Sequence, residues 1–360
     1  MNNLIDFVQK HNKECGIDAL FISNFYNILY LTGFKTLSPH EREAFLLITQ
    51  KNAYLFSDGR YHENFKAQNS DSIEYRLLTS EKSLKKHLEE IVYEEGITKL
   101  GFEREDLKFY EYEVFQKSLS VELVPQDKTI LKMRMVKQRR EIEYIEKACR
   151  GGDMCLKDIV PLIKVGITEK EIAWKIEKWI REKGYEVAFD PIVAIDASSA
   201  LPHYDTQSGN GYVKNRSIIL IDMGVKYQGY NSDITRMFFM GSQPDEVRRV
   251  YQTLLDAQVK TIQHISKAKK LSEIDVFCRN KVTVSDYSHS TGHGIGLEVH
   301  EYPKISSLSQ DVLKVGSVFT IEPGIYIPGR WGMRIEDTVA IETSDQILVL
   351  TRYPKELCLL

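Results

Sequence analysis

Four acidic residues close four apolar runs in the C-terminal part of this 360-residue chain, and they fall into two pairs at hairpin spacing. Ser217-Ile218-Ile219-Leu220-Ile221-Asp222 reads as a buried strand that stops on an acid. A turn follows at Lys226-Tyr227-Gln228-Gly229, and the return segment carries Asp233, eleven positions after Asp222. Phe319-Thr320-Ile321-Glu322 repeats the pattern. Met333-Arg334-Ile335-Glu336 returns it fourteen positions on, with Gly329 and Gly332 in the turn. A hairpin can bring each pair together. Taken singly, an acid at a strand end reads as a turn or cap residue, and either glutamate could simply pair with Arg334. Four carboxylates in one place repel one another and are costly to ionise unless cations lie among them. Two divalent ions would balance their charge. The fold must therefore close two hairpins around one metal-seeking cluster.

A fifth metal-seeking residue comes from the segment His289-Ser290-Thr291-Gly292-His293-Gly294-Ile295-Gly296-Leu297-Glu298-Val299-His300, which holds three of the nine histidines. Its glycines let the backbone fold closely around whatever the imidazoles hold. The glycine spacing is not that of a dinucleotide-binding loop, and no P-loop lysine follows. His300-Glu301 opens an H-E-x-x-H pattern that Lys304 breaks, and no G-x-S-x-G occurs. The usual zinc-protease and serine-hydrolase signatures are thus missing. A fourth histidine, His203, stands in Ala200-Leu201-Pro202-His203-Tyr204 and alone reads as an ordinary hydrogen-bonded side chain.

Length argues for two domains. Over residues 1–128, apolar runs at 19–22, 44–48, 53–56, 99–102 and 121–124 alternate with helical patterns over 82–93 and 106–118, the mark of an α/β domain. The polar stretch Pro125-Gln126-Asp127-Lys128 marks the boundary. Residues 129–360 read as an α+β domain, with helices packed on a curved antiparallel sheet. Helical periodicity runs over 137–156 and again over 245–266. Between them, a Thr168-x-x-Glu171 capping box opens a helix lined by Ile172, Ile176 and Ile180 and stopped by Gly184. A net charge of −3 exerts no long-range pull on nucleic acid or anionic lipid. No apolar stretch approaches the ~20 residues of a membrane span, and the N-terminus lacks a signal core. Five cysteines without a C-x-x-C pair read as reduced, mostly buried thiols of a cytoplasmic protein.

Together the order Asp222, Asp233, His293, Glu322, Glu336 and the segments around them resemble the creatinase/aminopeptidase metallopeptidases of the pita-bread fold. Those segments are Ile221-Asp222-Met223-Gly224, Ser232-Asp233-Ile234-Thr235-Arg236, Ile321-Glu322-Pro323-Gly324 and Arg334-Ile335-Glu336-Asp337. Asn27-Ile28-Leu29-Tyr30-Leu31-Thr32-Gly33-Phe34 and Asp58-Gly59-Arg60-Tyr61 look like the N-terminal domain of the proline-peptidase branch, which methionine aminopeptidases lack.

The resemblance implies a creatinase-like α/β domain over 1–128, a pita-bread catalytic domain over 129–360, and a proline-specific exopeptidase. Of the two activities, the compact length leans toward an Xaa-Pro aminopeptidase, with an Xaa-Pro dipeptidase as the alternative. Asp222 would be a bidentate ligand of one ion, Asp233 and Glu336 would bridge two, and His293 and Glu322 would complete the shells. Four carboxylates and one imidazole suit Mn²⁺, with Co²⁺, Zn²⁺ or Fe²⁺ as alternatives. Glu322 would pass protons, and His203 and His300 would steady the oxyanion and the scissile residue. His289 would shape the substrate pocket, and Arg334 would orient a bridging carboxylate. Proline-containing peptides, a homodimer, and a Tyr30 loop reaching the partner's active site follow from the same resemblance. Two local differences accompany it: the stretch 278–288 is short, and Ile195-Asp196-Ala197-Ser198-Ser199 replaces the usual Gly-Asn-Ser type run. A creatinase, or a binding protein on the same fold, would be expected to have lost these ligands.

Overall fold

A computed structural model describes residues 2–67, 72–282 and 288–360. The chain divides into two compact units, Met1–Leu131 and Lys132–Leu360. In the first unit, β1 (Ala19–Ile22), β2 (Ala44–Thr49), β3 (Ala53–Ser57), β4 (Glu74–Leu77), β5 (Lys99–Glu103) and β6 (Glu122–Gln126) form one sheet, ordered β4-β3-β2-β1-β5-β6. The sheet is mixed, since β1 pairs antiparallel with β2 and parallel with β5. The helices are α1 (Asn2–Glu14), α2 (Phe25–Thr32), α3 (His62–Ala67), α4 (Leu84–Glu95) and α5 (Phe109–Ser118). Phe21, Leu47 and Phe56 from the strands pack with Leu88 and Ile91 of α4 and Phe115 of α5. Each predicted apolar run is a strand, and both predicted helices form. Tyr30, expected on a loop, lies instead in α2. That helix starts where Asn24 accepts from the Asn27 N–H and ends at Gly33, whose φ of 71° suits glycine.

The second unit carries α6 (Thr129–Met135), α7 (Arg139–Ile159), α8 (Glu169–Glu182), α9 (Asp245–His264) and α10 (Leu271–Lys281). α6 straddles the division and enters at its C-terminal half. The capping box at α8 is formed, and Ile172, Ile176 and Ile180 are fully buried. Around these helices lie β7 (Glu186–Val187), β8 (Ile192–Ile195), β9 (Ile218–Met223), β10 (Val225–Tyr227), β11 (Tyr230–Asn231) and β12 (Ile234–Phe239). They continue as β13 (Gly292–Gly294), β14 (Glu301–Ile305), β15 (Val318–Ile321) and β16 (Gly324–Ile327). The last four are β17 (Trp331–Arg334), β18 (Asp337–Ile341), β19 (Ile347–Val349) and β20 (Cys358–Leu359). Among them the β12–β20 edge is parallel and the other ladders are antiparallel.

The two hairpins foreseen in the sequence both exist, and both are interrupted: the first at Asp233, the second at Glu322 and Glu336. In the first, the β9–β12 ladder ends at Met223 opposite Ile234 and resumes as β10–β11 at Lys226 opposite Asn231. Gly224, Val225, Ser232 and Asp233 lie between those two pairs. The hairpin closes through Gln228 and Gly229, at φ 51° and 83°, a two-residue turn whose twist matches its strands. In the second, the β15–β18 ladder ends at Ile321 opposite Asp337 and resumes as β16–β17 at Gly324 opposite Arg334. Glu322, Pro323, Ile335 and Glu336 fill that gap. Gly332, expected in the turn, sits in β17, where a Cβ would lie 2.1 Å from the Ser199 carbonyl oxygen. The unusual run before His203 thus buttresses this strand, with the Ser199 hydroxyl accepting from Gly332 N–H.

Alternation along β9 sends Ile219 and Ile221 toward α7 and α8, and Leu220 toward Met333 and Ile335 of the second hairpin. Asp222, two residues beyond Leu220, therefore stands on the face between the hairpins. No helix of the described residues is long and apolar enough to cross a membrane. Cys149, Cys155 and Cys278 are buried thiols, Cys15 is exposed and Cys358 lies between. Burial pushes Cys155 up to about 12, which makes it unreactive.

Candidate metal centre

The hairpin breaks place oxygens of Asp222, Asp233 and Glu336 within 4.8 Å of one another, and His293, Glu322 and Glu336 form a second such group. All five line one cavity of about 700 Å³. His293 arrives from the middle of β13, pressed against β15. A Cβ on its neighbour Gly292 would lie 1.8 Å from the Thr320 carbonyl oxygen, so only glycine fits there. Thr320 in turn accepts from the His293 N–H and donates to Glu322 Oε1.

Electrostatics show what the cluster would accommodate. Burial, then the neighbouring carboxylates, hold Asp233 and Glu336 well above the usual carboxylate range. Burial pushes Glu322 up to about 7. Crowded, buried acids keep protons they would otherwise lose. Asp222 Oδ1, Asp233 Oδ1 and Glu336 Oε1 are buried and have no hydrogen-bond donor among the described residues. Buried oxygens of this kind are rare and call for a partner.

His293 gives a second indication. Its Nδ1 lies 3.1 Å from the Gly294 carbonyl, so that nitrogen carries the hydrogen. Burial pushes the ring down to about 3, so it is neutral. The Nε2 lone pair then faces Asp233 Oδ2 at 3.6 Å and Glu322 Oε1 at 3.4 Å. A lone pair and two carboxylates facing one another are repulsive unless a proton or a cation lies between. The donor set fits divalent cations: four carboxylates with one neutral imidazole suit a hard or borderline ion better than a thiolate-seeking one.

Arg334 Nη2 donates to Asp222 Oδ2 at 2.6 Å. It reaches the predicted bridging carboxylate only indirectly: its Nε donates to Thr235 Oγ1, which donates to Glu336 Oε2 at 2.7 Å. The direct carboxylate partner of Arg334 is thus Asp222, which lies level with Thr235 across the β9–β12 ladder. Arg334 Nη1 also donates to Tyr326 Oη, 3.1 Å from His289 Nε2, while His289 Nδ1 lies 2.8 Å from the Ser290 carbonyl. These bonds fix His289 as a neutral wall of the cavity, and burial pushes it down to about 4.

His203 and His300 line the same cavity. The His300 ring meets that of His293 edge-on at 4.1 Å. Lys304, on β14, also lines the cavity. It stands opposite His293 in the β13–β14 register and has no ion-pair partner among the described residues. Tyr30 belongs to α2 of the first unit. Of the short stretch 278–288, residues 283–287 lie outside the described residues.

Sequence reasoning missed Thr235, Tyr326 and the place of Lys304. The signal for Thr235 was present: it lies two residues after Asp233, and period two keeps both on one face. Arg236 was noted only as part of a motif. It is buried and donates to the Glu336 carbonyl and to Asp337 Oδ1, which steadies the break in the second hairpin.

Two broken hairpins and a histidine strand around a buried carboxylate cluster define a metallohydrolase. Comparison with known proteins gives the family. Residues 143–343 match the model of Metallopeptidase family M24, and residues 5–136 match the Creatinase/Prolidase N-terminal domain. The chain belongs to metallopeptidase family M24, with the creatinase-type N-terminal domain and a pita-bread catalytic domain. It is 34% identical over 362 residues to an Xaa-Pro dipeptidase of Pyrococcus horikoshii, covering 99% of this chain and 98% of that one. Among solved structures, an Xaa-Pro dipeptidase from Bacillus anthracis superposes with a TM-score of 0.91 at 33% identity, covering 99% of each chain. An X-Pro aminopeptidase from Thermotoga maritima superposes at 0.86 and 32%, again over 99% of each.

Proposed function

We propose that this protein hydrolyses the peptide bond preceding proline, acting on Xaa-Pro dipeptides and, as a second substrate class, on N-terminal Xaa-Pro in longer peptides. The observation that carries the reading is the cavity itself. The five-ligand cluster lines it together with His203, His300 and Lys304, which has no ion-pair partner among the described residues. Relatives named for both activities support the two substrate classes.

Asp222, Asp233, His293, Glu322 and Glu336 would hold two divalent cations, Mn²⁺ first, with Co²⁺, Zn²⁺ or Fe²⁺ as alternatives. When bound, such ions ionise water at neutral pH and polarise the scissile carbonyl. Glu322 takes the proton from the attacking water and hands it to the proline nitrogen, which carries no hydrogen of its own. This role rests on its place beside His293 rather than on its raised pKa, since cations among the acids lower that value again. His203 and His300 donate to the carbonyl oxygen as charge develops there. His289, held by Tyr326, bounds the pocket for the ring, and Arg334 keeps Asp222 in place.

Lys304 favours the dipeptide. Its ammonium suits the free carboxylate that a dipeptide presents one residue beyond the scissile bond, and a longer peptide has an amide there. Homodimer formation, Tyr30 reaching a partner's site and a cytoplasmic location belong to the same reading. Sedimentation velocity tests the dimer.

The deciding experiment compares alanyl-proline with alanyl-proline amide after reconstitution with Mn²⁺. Chelator-reversible hydrolysis of alanyl-proline is expected, with Lys304→Met raising KM for the free acid at least ~10-fold and leaving the amide unchanged. Glu322→Ala lowers kcat by ~10²–10⁴-fold. Absence of turnover on any Xaa-Pro substrate with Mn²⁺, Co²⁺ or Zn²⁺ would refute the reading.

A further inference from the structure

The turn that carries His300 is anchored by a buried ion cluster that the chemistry above does not use. Arg134, at the end of α6, is 2% exposed, and Lys137 just beyond it is 5% exposed. Arg134 Nη2 donates to Glu298 Oε2 and to Glu301 Oε2, both at 2.6 Å. Lys137 Nζ donates to Glu301 Oε1, again at 2.6 Å. The two carboxylates lie two residues before His300 and one residue after it. The cations cannot drift, because the Lys137 N–H donates to the Gly316 carbonyl and Val136 bridges Ser317, next to the start of β15.

From the other side, Asn231 grips the same turn. Its N–H and its amide donate to the Gly296 carbonyl, and the amide also reaches the Leu297 carbonyl. A Cβ on Gly296 would lie 2.7 Å from Glu301 Oε1, so the turn closes tightly on the glutamate. His300 itself lines the cavity, yet its ring has no hydrogen bond to any described residue. Among the described residues its ring meets His293 edge-on and brings a nitrogen within 4.8 Å of ligand atoms of Asp233 and His293, so the backbone around it governs where its imidazole stands. A buried charge cluster is poor value as a stabiliser, since an apolar replacement often does as well or better. Its worth here lies in geometry: charged pairs of this kind fix one arrangement of the turn.

We propose that Arg134 and Lys137 are positioning residues, which hold the backbone on both sides of His300 through Glu298 and Glu301 and so set its imidazole over the metal-seeking cluster. The proposal rests on the reading that His300 acts on an Xaa-Pro substrate. Neither cation touches the reacting atoms. Displacing a catalytic group by about 1 Å can cost on the order of 10²-fold in rate.

The test uses the full chain reconstituted with Mn²⁺ and alanyl-proline as substrate, with Lys137→Met, Lys137→Arg, His300→Ala and the Lys137→Met/His300→Ala pair. Lys137→Met is expected to lower kcat by ~10–10²-fold with KM within about two-fold of wild type. Lys137→Arg restores most of the loss. In the His300→Ala background Lys137→Met costs nothing more. Bound Mn²⁺ per chain stays at the wild-type value throughout, which separates a shifted imidazole from a collapsed ligand cluster. Because Lys137→Met leaves a buried anion, the neutral pair Lys137→Met/Glu301→Gln accompanies it and is expected to show the same kcat loss with a near-wild-type melting temperature. Wild-type kcat in both Lys137→Met and the neutral pair overturns the proposal, as do losses that multiply with His300→Ala. Wild-type protein that fails to cleave alanyl-proline overturns instead the functional reading beneath it.

Discussion

Replacing Glu336 with Gln should stabilise the metal-free protein while abolishing its response to metal. Glu336 is 2% exposed, and its oxygens lie within 4.8 Å of those of Asp222 and Asp233. At that separation and an effective dielectric constant near 20, each pair of ionised carboxylates costs about 3–4 kcal/mol. Protonation relieves most of this in the metal-free state, because burial and its neighbours hold Glu336 well above the usual range. Keeping one such proton at pH 7.5, about three pH units above the ordinary glutamate value of 4.5, costs up to about 4 kcal/mol. Glutamine removes it. Its carbonyl still accepts from Thr235, and its amide donates from the position where Glu336 Oε1 has no donor among the described residues. At ~2–4 °C per kcal/mol, chelated Glu336→Gln should melt above chelated wild type, by up to about 8–16 °C. Mn²⁺ at a hundred times its Kd stabilises wild type by about 2.7 kcal/mol and should leave the variant nearly unmoved. Differential scanning fluorimetry, with and without chelator, reads all four values. A chelated variant that melts below wild type, or an equal Mn²⁺ shift in both, refutes the charge argument.

Gly292→Ala should destabilise the chain by about 3 kcal/mol or more, because the new methyl meets the Thr320 backbone rather than a movable side chain. Thermal melting within 1 °C of wild type would contradict the packing described around His293. In the first unit, burial pushes Glu103 up to about 7 from 4.5, against the donors from Ser23, Asn24 and Asn27. The folded state then holds a proton that the unfolded chain releases, so this contribution to stability is present below about pH 4.5 and is lost as pH rises toward 7. The span is worth up to about 3 kcal/mol. Glu103→Gln removes that titration, and urea melts at pH 5 and pH 8 should show a smaller loss of stability with pH than in wild type. An unchanged difference between the two pH values would rule it out.

The metal-seeking residues were legible because their chemistry leaves a mark in local pattern. Asp222 and Glu322 end apolar runs where a strand should continue, and carboxylates are too costly to bury there by chance. The helix over 169–182 was legible for a similar reason, through its capping box and isoleucine stripe. The breaks in the hairpins were not legible. Hairpin spacing suggests that Asp222 faces Asp233 directly, whereas register places Thr235 opposite Asp222 and leaves Asp233 in the gap. Register depends on Gly224 and Ser232 interrupting the ladder, and neither residue announces a bulge. Partners distant in sequence were also hidden. Arg334 reaching Asp222 spans 112 positions and Arg134 reaching Glu298 spans 164, distances over which no periodicity operates. The family resemblance, and not its own segment, places Tyr30 on a loop, whereas that segment forms the eight-residue helix α2.

The central claim is that two divalent cations among five ligands make this chain a peptidase for bonds preceding proline. Titrating Mn²⁺ into chelator-stripped protein, while recording alanyl-proline hydrolysis and metal bound per chain, tests it most directly. The account predicts that activity appears with metal and stops rising at two ions per chain. Full hydrolysis by the stripped protein, or activity complete with no ion bound at these residues, would contradict it.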